Sequence, residues 1–222
     1  MKILSIRRGF ASDHSSTSYE FLAVDKPLGK KERTEISRLS SRVSPTTRRA
    51  KFIYNVDGYD IPCGWESLME KYYDVMYSES YGLWVLAIAL NVTPEQFEEL
   101  YSYEFGGVEE GMGIDISGNR QRAIITIYCS IEIGYARGED YEDEDEDGDA
   151  IDDSGIVATD DDLLNTLTQV RKQIVNGDYR ALYAIWEKYG DADDENPPPK
   201  PKSLETGSGV VNNFANMLGY IG

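Results

Sequence analysis

Few stretches of this chain bring together residue types at a spacing suited to acid–base, nucleophilic or metal chemistry. His14, in Asp13-His14-Ser15-Ser16-Thr17-Ser18, is the single histidine and the side chain whose ordinary pKa lies nearest neutrality. A serine nucleophile needs a base within hydrogen-bond reach and a third group to orient that base. Neighbours in sequence rarely achieve this geometry. The stretch therefore reads as a capped turn in which Asp13 and the hydroxyls satisfy nearby backbone groups. If the protein is an enzyme, His14 with a nearby serine is the first place to look for a hydrolase site. Asp143-x-Asp145-x-Asp147-Gly148-Asp149 carries the alternate carboxylates and the glycine of the first half of a calcium loop. The second half is missing, because position 12 falls on Ser154 and not on a bidentate glutamate. The expectation is loose divalent-cation binding at Asp143, Asp145, Asp147 and Asp149, and no cofactor. Gly106, Gly107, Gly111, Gly113 and Gly118 lack the spacing of a phosphate loop and read as a flexible connection between a helix and a strand. Cys63 and Cys129 make neither a disulfide framework nor a paired metal-ligand motif. Cys129 reads as an inert core residue and Cys63 as a turn residue. Trp65, Tyr72, Tyr73 and Tyr77 have rings able to stack on a base or sugar, at a spacing that suits a core equally well.

The charge is unevenly placed. The chain has 222 residues and a net charge of −18. Residues 139–162 hold 14 Asp or Glu and no Lys or Arg, so the rest of the chain carries only −4. Residues 26–51 hold 9 Lys or Arg against 2 Glu. The acidic run repels itself and reads as a solvated loop. Overall acidity disfavours duplex DNA, whose binding rests on Lys and Arg meeting phosphates. The basic segment, with Lys30, Lys31, Arg33, Arg38, Arg42, Arg48 and Arg49, reads as a solvated helix face or as a patch for a small anion or RNA. The longest apolar run, Trp84 to Leu90, falls short of the roughly 20 residues a membrane span takes. Met1 to Arg8 hold no stretch apolar enough for a secretion signal. The expected setting is cytoplasmic, without membrane.

These residues need elements to position them. Residues 2–8 alternate loosely, as a strand would. Tyr19 to Val24 and Phe52 to Val56 read as strands, and residues 30–41 as a helix with Ile36 and Leu39 on one face. Trp65 to Tyr73 has helical spacing, and Asp74 to Tyr81 is extended. Leu83 to Leu90 is apolar at every position, the pattern of a strand buried on both faces and so of a central strand. Thr93-Pro94-Glu95-Gln96 is a helix start with a capping box, running to about Tyr103. Ala123 to Ile131 is a long strand rich in β-branched residues. Leu163, Leu164, Leu167, Val170 and Ile174 form one helical face. Asn176-Gly177 stops that helix, Asp178 caps a second, and Gly190 ends it. The fold class is α+β: a mixed or antiparallel sheet carrying helices, with a C-terminal helical hairpin. Residues 1–190 read as one domain, with the acidic loop at about 137–160 and the hairpin at about 161–190. Residues 191–222 read as a Pro-rich spacer followed by a short amphipathic helix. Its apolar face, Val210, Phe214, Met217, Leu218 and Ile221, docks either on the domain's own core or in a groove of another protein.

Five segments occur in a familiar order. They are Tyr19-Glu20-Phe21-Leu22-Ala23-Val24-Asp25-Lys26-Pro27-Leu28, Leu39-Ser40-Ser41-Arg42, Leu68-Met69-x-x-Tyr72-Tyr73-Asp74, Tyr81-Gly82-Leu83-Trp84, and Asn176-Gly177-Asp178-Tyr179-Arg180-Ala181-Leu182-Tyr183-x-x-Trp186. Together, across roughly residues 19–190, they resemble an uncharacterised bacterial family with an N-terminal Tyr-Glu-Phe-x-Ala-x-Asp-x-Pro-Leu stretch, found near SWIM zinc-finger proteins. The resemblance implies no activity and no site residues, and the chain lacks the Cys and His ligands of a zinc finger. The expected function is a non-catalytic protein-interaction or accessory subunit of a bacterial complex, in defence or stress regulation. A CRISPR-associated setting follows from that category and not from any residue. The alternatives are an acidic nucleic-acid mimic or inhibitor working through residues 139–153, and a hydrolase with a His14 and serine site.

Overall fold

Leu83–Asn91 is apolar at every position but the last, and the sheet is built around it. The computed structural model describes residues 17–54, 61–80, 83–107, 112–130, 160–191 and 196–201. Among them, β1 (Thr17–Leu22), β2 (Arg49–Tyr54), β3 (Val75–Ser80), β4 (Leu83–Asn91), β5 (Phe105–Gly107), β6 (Met112–Asn119) and β7 (Arg122–Ser130) form one sheet in the order β2-β1-β3-β4-β7-β6-β5. Every neighbouring pair is antiparallel. The helices are α1 (Lys30–Ser37), α2 (Trp65–Lys71), α3 (Pro94–Tyr101), α4 (Asp160–Val175) and α5 (Arg180–Tyr189). The class is α+β, with β4 in the middle of the sheet.

The two faces of β4 explain the layering. Trp84, Leu86, Ile88 and Leu90 point to one side, where they pack with Leu100 and Tyr103, with Leu163, Leu164, Leu167, Val170 and Ile174 of α4, and with Ala181, Leu182 and Ile185 of α5. Ala87 and Ala89 point to the other side. Being small, they leave room for Leu68 and Met69 of α2, beside Phe21, Phe52, Met76 and Ile36 of α1. The sheet thus separates two cores and is covered on both faces. The five apolar α4 side chains are almost wholly buried. At roughly 1.5–3 kcal/mol each, their transfer from water outweighs the weak intrinsic preference of a single helix.

Helix ends follow local chemistry. Gln96 N–H donates to Thr93 Oγ1 at 3.2 Å, Thr93 N–H donates to Gln96 Oε1 at 3.0 Å, and Pro94 takes the first helical position. After α4, Gly177 N–H donates to Ile174 O and Asp178 N–H to Gln173 O, which closes the helix at Asn176-Gly177. At α5 the structure differs slightly from the sequence reading, because the N-cap is Tyr179. Asp178 instead grips Arg180, accepting its N–H at 3.3 Å and its guanidinium at 2.8 and 2.7 Å. That side-chain hydrogen bonding from Arg180 holds the Asp178 carboxyl below its usual range.

Where it is described, the glycine-rich stretch is strand and not a link between helix and strand. Its described residues form β5 and β6, a hairpin at the edge of the sheet. Gly106 has φ of +58° and Gly118 +103°. A Cβ at Gly106 would run into the carbonyl oxygen of Met112, and one at Gly118 into that of Arg122. These glycines exist because backbone passes where a side chain would stand. Gly118→Ala combines left-handed backbone with a collision against main chain. It should destabilise the fold by about 1–3 kcal/mol, read as a lowered midpoint of thermal unfolding; an unchanged midpoint would contradict this geometry.

Candidate functional site

At one end of the sheet, where β1 and β4 finish and β3 and β7 begin, four charged side chains meet. Asp74 is 5% exposed and sits between α2 and β3. Its Oδ2 accepts the N–H groups of Val24 and Asp25 at 2.7 and 2.9 Å. Its Oδ1 faces Arg122 Nη2 at 3.1 Å and Arg171 Nη2 at 3.5 Å. Arg122 also donates to the carbonyl oxygens of Met69 and Tyr73 at 3.0 and 2.7 Å and to Asn91 Oδ1 at 3.4 Å. Arg171, 6% exposed, donates through Nε to Ala89 O at 2.7 Å and grips both oxygens of Asp25 at 2.8 and 2.6 Å. Two cations and two anions cancel, and every oxygen of Asp74 is taken. The forked pairing of Arg171 with Asp25 is the strong geometry for such a contact.

The sequence reading did not find this cluster, although one signal was present. Arg171 lies on the apolar stripe of α4, four residues after Leu167 and three before Ile174. A lone arginine in that position needs a buried counter-charge.

The basic residues read from the sequence divide into two groups. Arg48 Nη1 donates to the carbonyl oxygens of Ala23 and Val24 at 2.8 Å each, closing the end of β1. Arg33 Nε reaches back to Gly29 O at 3.4 Å. Arg49 is half-buried in β2, and its N–H donates to Thr46 Oγ1. These three serve the fold. Lys30, Lys31, Arg38 and Arg42 are exposed. Lys31 has only a loose pair with Glu35 at 3.9 Å, and the side chains of Lys30, Arg38 and Arg42 have no partner among the described residues. Lys30 and Lys31 open α1, where Gly29 supplies no side-chain cap. Cations there oppose the helix dipole, so helix stability does not account for their placement.

Asp115 and Tyr128 share a face of β6 and β7, flanking Thr126 in the register. Burial, and then the nearby charge of Glu104, raise the Asp115 carboxyl. Burial, and then Asp115 and Glu66, raise the Tyr128 phenol. Cys129 is buried and its thiol is pushed up to about 12 by desolvation, as suits an inert core residue. Tyr73 and Tyr77 are core residues on opposite faces of the sheet, and Trp65 and Tyr72 are partly buried against one of them. Tyr72 Oη donates to Glu35 at 2.7 Å and ties α2 to α1. Asp13, His14 and the serines at 15 and 16, the carboxylates Asp143, Asp145, Asp147 and Asp149, and the tail residues Val210, Phe214, Met217, Leu218 and Ile221 lie outside the described residues. Among the described residues, no three His, Cys, Asp or Glu side chains group as metal ligands, and no helix is long and apolar enough to cross a membrane.

No protein-family model, curated protein or solved structure matches the chain.

Asp74→Ala would leave Arg122 short of its counter-charge, Arg171 with Asp25 alone and two N–H groups unsatisfied, and should cost about 3–5 kcal/mol. Arg171→Met should cost less, because Asp25 is half-exposed and Arg122 stays on Asp74. Urea unfolding at constant m-value gives the ranking, and the reverse order would contradict Asp74 as the hub.

Proposed function

We propose that this chain is a non-catalytic interaction protein, an accessory subunit whose cationic face on α1 and the turn after it meets an acidic protein partner. The reading is carried by the division among the charged side chains. The buried ones, Asp74, Arg122 and Arg171, spend their hydrogen bonds on one another and on backbone. Lys30, Arg38 and Arg42 stand in solvent without described partners. A group that does acid–base work must reach a reacting proton, whereas the saturated cluster holds strands together. A group that steers association must be exposed and of one sign.

An acidic protein surface fits better than nucleic acid. The chain's net charge of −18, most of it in residues 139–162, opposes a long polyphosphate that would extend beyond the basic segment. A compact cationic patch on such a chain suits a local acidic surface, with screening over about 8–10 Å shielding the remainder.

The test is charge reversal at four positions together, Lys30→Glu, Lys31→Glu, Arg38→Glu and Arg42→Glu, with poly-L-glutamate and single-stranded poly(U) as probes. The wild-type chain should bind poly-L-glutamate more weakly as salt rises. The reversed chain should lose at least about tenfold in affinity, since exposed pairs contribute a few tenths to 1 kcal/mol each, with its thermal midpoint unchanged. Equal binding by both chains, or binding of poly(U) alone, would refute the reading.

A further inference from the structure

Residues 196–201, Asn-Pro-Pro-Pro-Lys-Pro, set their own backbone. Each proline fixes φ near −65°, and each residue before a proline is kept out of the helical region. The run is therefore extended with polyproline geometry, three residues per turn and no internal hydrogen bonds. Its burial follows that period. Pro198 is buried and Pro201 half-buried, three residues apart, while Pro197, Pro199 and Lys200 are exposed.

Two aromatic side chains, Tyr103 and Tyr183, face the run, and each has an aromatic neighbour. Tyr103, just beyond α3, pairs with Tyr179 at 5.7 Å between ring centroids, and Tyr183 pairs with Trp186 of α5 at 5.6 Å. Tyr103 Oη donates to the Pro199 carbonyl at 3.1 Å, and Lys200 Nζ stands 6.0 Å from the centroid of the Tyr183 ring. The Tyr103 phenol is raised to about 12, first by burial and then by Glu99 and Tyr183, so it remains a donor throughout the physiological range. Trp186 Nε1–H, beside Gly190, has no acceptor among the described residues, the seated run included. Aromatic ring faces with a few N–H and O–H donors are what a polyproline segment binds, since its carbonyls have no partners of their own.

We propose that this aromatic cradle is a binding groove for proline-rich peptides, filled in this chain by its own residues 197–201 and open to a proline-rich segment of another protein when that run is displaced. The internal segment leaves α5 at Tyr189 and reaches the groove within a few residues. Such a tether gives an effective concentration of the order of millimolar, so an outside peptide binds only after competing with it. This groove is independent of the cationic face.

The experiment uses the full chain with Pro197, Pro198, Pro199 and Pro201 all changed to Ser, and a fluorescein-labelled peptide of residues 194–202 followed by anisotropy. The opened chain should bind the peptide at least tenfold more tightly than the wild type does. Alanine at the peptide positions of Pro198 and Pro201 should weaken binding at least fivefold. Tyr103→Phe in the opened chain should weaken it about two- to tenfold, the loss of one neutral hydrogen bond. Should the fourfold variant be unfolded by circular dichroism, Pro198→Ala alone should still tighten peptide binding severalfold. A folded opened chain that ignores the peptide, equal affinity in opened and wild-type chains, no gain from Pro198→Ala, or a wild-type chain sedimenting as a segment-exchanged dimer would each overturn the proposal.

Discussion

The carboxylate of Asp74 is the constraint on which the rest of the structure depends. It is almost wholly buried, and a buried anion is tolerated only when its lone pairs are met. Here they are met from three directions at once: backbone of the segment after β1, Arg122 at the start of β7 and Arg171 from α4; Arg122 in turn ties in the backbone at the end of α2. Its own peptide group joins Leu22 and Ala89. One side chain thereby sets how three strands finish or begin and where a helix from each face meets them. The apolar layers supply most of the driving force, but they are non-directional. The charge cluster sets register.

Much of the architecture was legible because its causes are local. An unbroken apolar run marks β4, a Thr-Pro-x-Gln sequence marks the start of α3, and a 3.6-residue stripe marks α4. In each case the residues that produce the element are neighbours in the chain. The glycines of β5 and β6 were misread for a physical reason. A glycine that permits motion and a glycine that permits close packing look the same in sequence, and only the position of the Met112 and Arg122 carbonyls tells them apart. The charge cluster was illegible for another reason. Its members are 48 to 146 residues apart, so that even Arg171, on its apolar stripe, does not name its partners. The basic segment was read correctly as a concentration of charge. That Arg48 closes a strand while Arg38 and Arg42 stand free depends on the approach of β1, which no local pattern carries.

The two surfaces with functional interest belong to different layers. α1, which carries Lys30 and Lys31, packs through Ile36 on the core that holds Phe21 and Phe52. Tyr103 and Tyr183 belong to the core on the other side of the sheet. The antiparallel sheet stands between them, so an acidic partner on one layer and a proline-rich one on the other would not compete for space. The chemistry of the two also differs: exposed charge is weakened by salt, whereas the hydrogen bond of the buried Tyr103 phenol to the Pro199 carbonyl joins neutral groups. The chain's own excess of acid is confined mostly to residues 139–162, and the remainder carries −4.

The fork between Arg171 and Asp25 joins residues 146 positions apart. On a ribosome adding about 5–20 residues per second, roughly 7–30 s separate the two. Through that interval the turn after the first strand has been made while its guanidinium has not. The nascent sheet must then be held by its backbone ladders, by Asp74 and by hydrophobic contact, with Arg122 joining partway, and it reaches its final form only when the fourth helix is released. Birth order thus makes α4 the closing latch of a sheet whose seven described strands are all made before it.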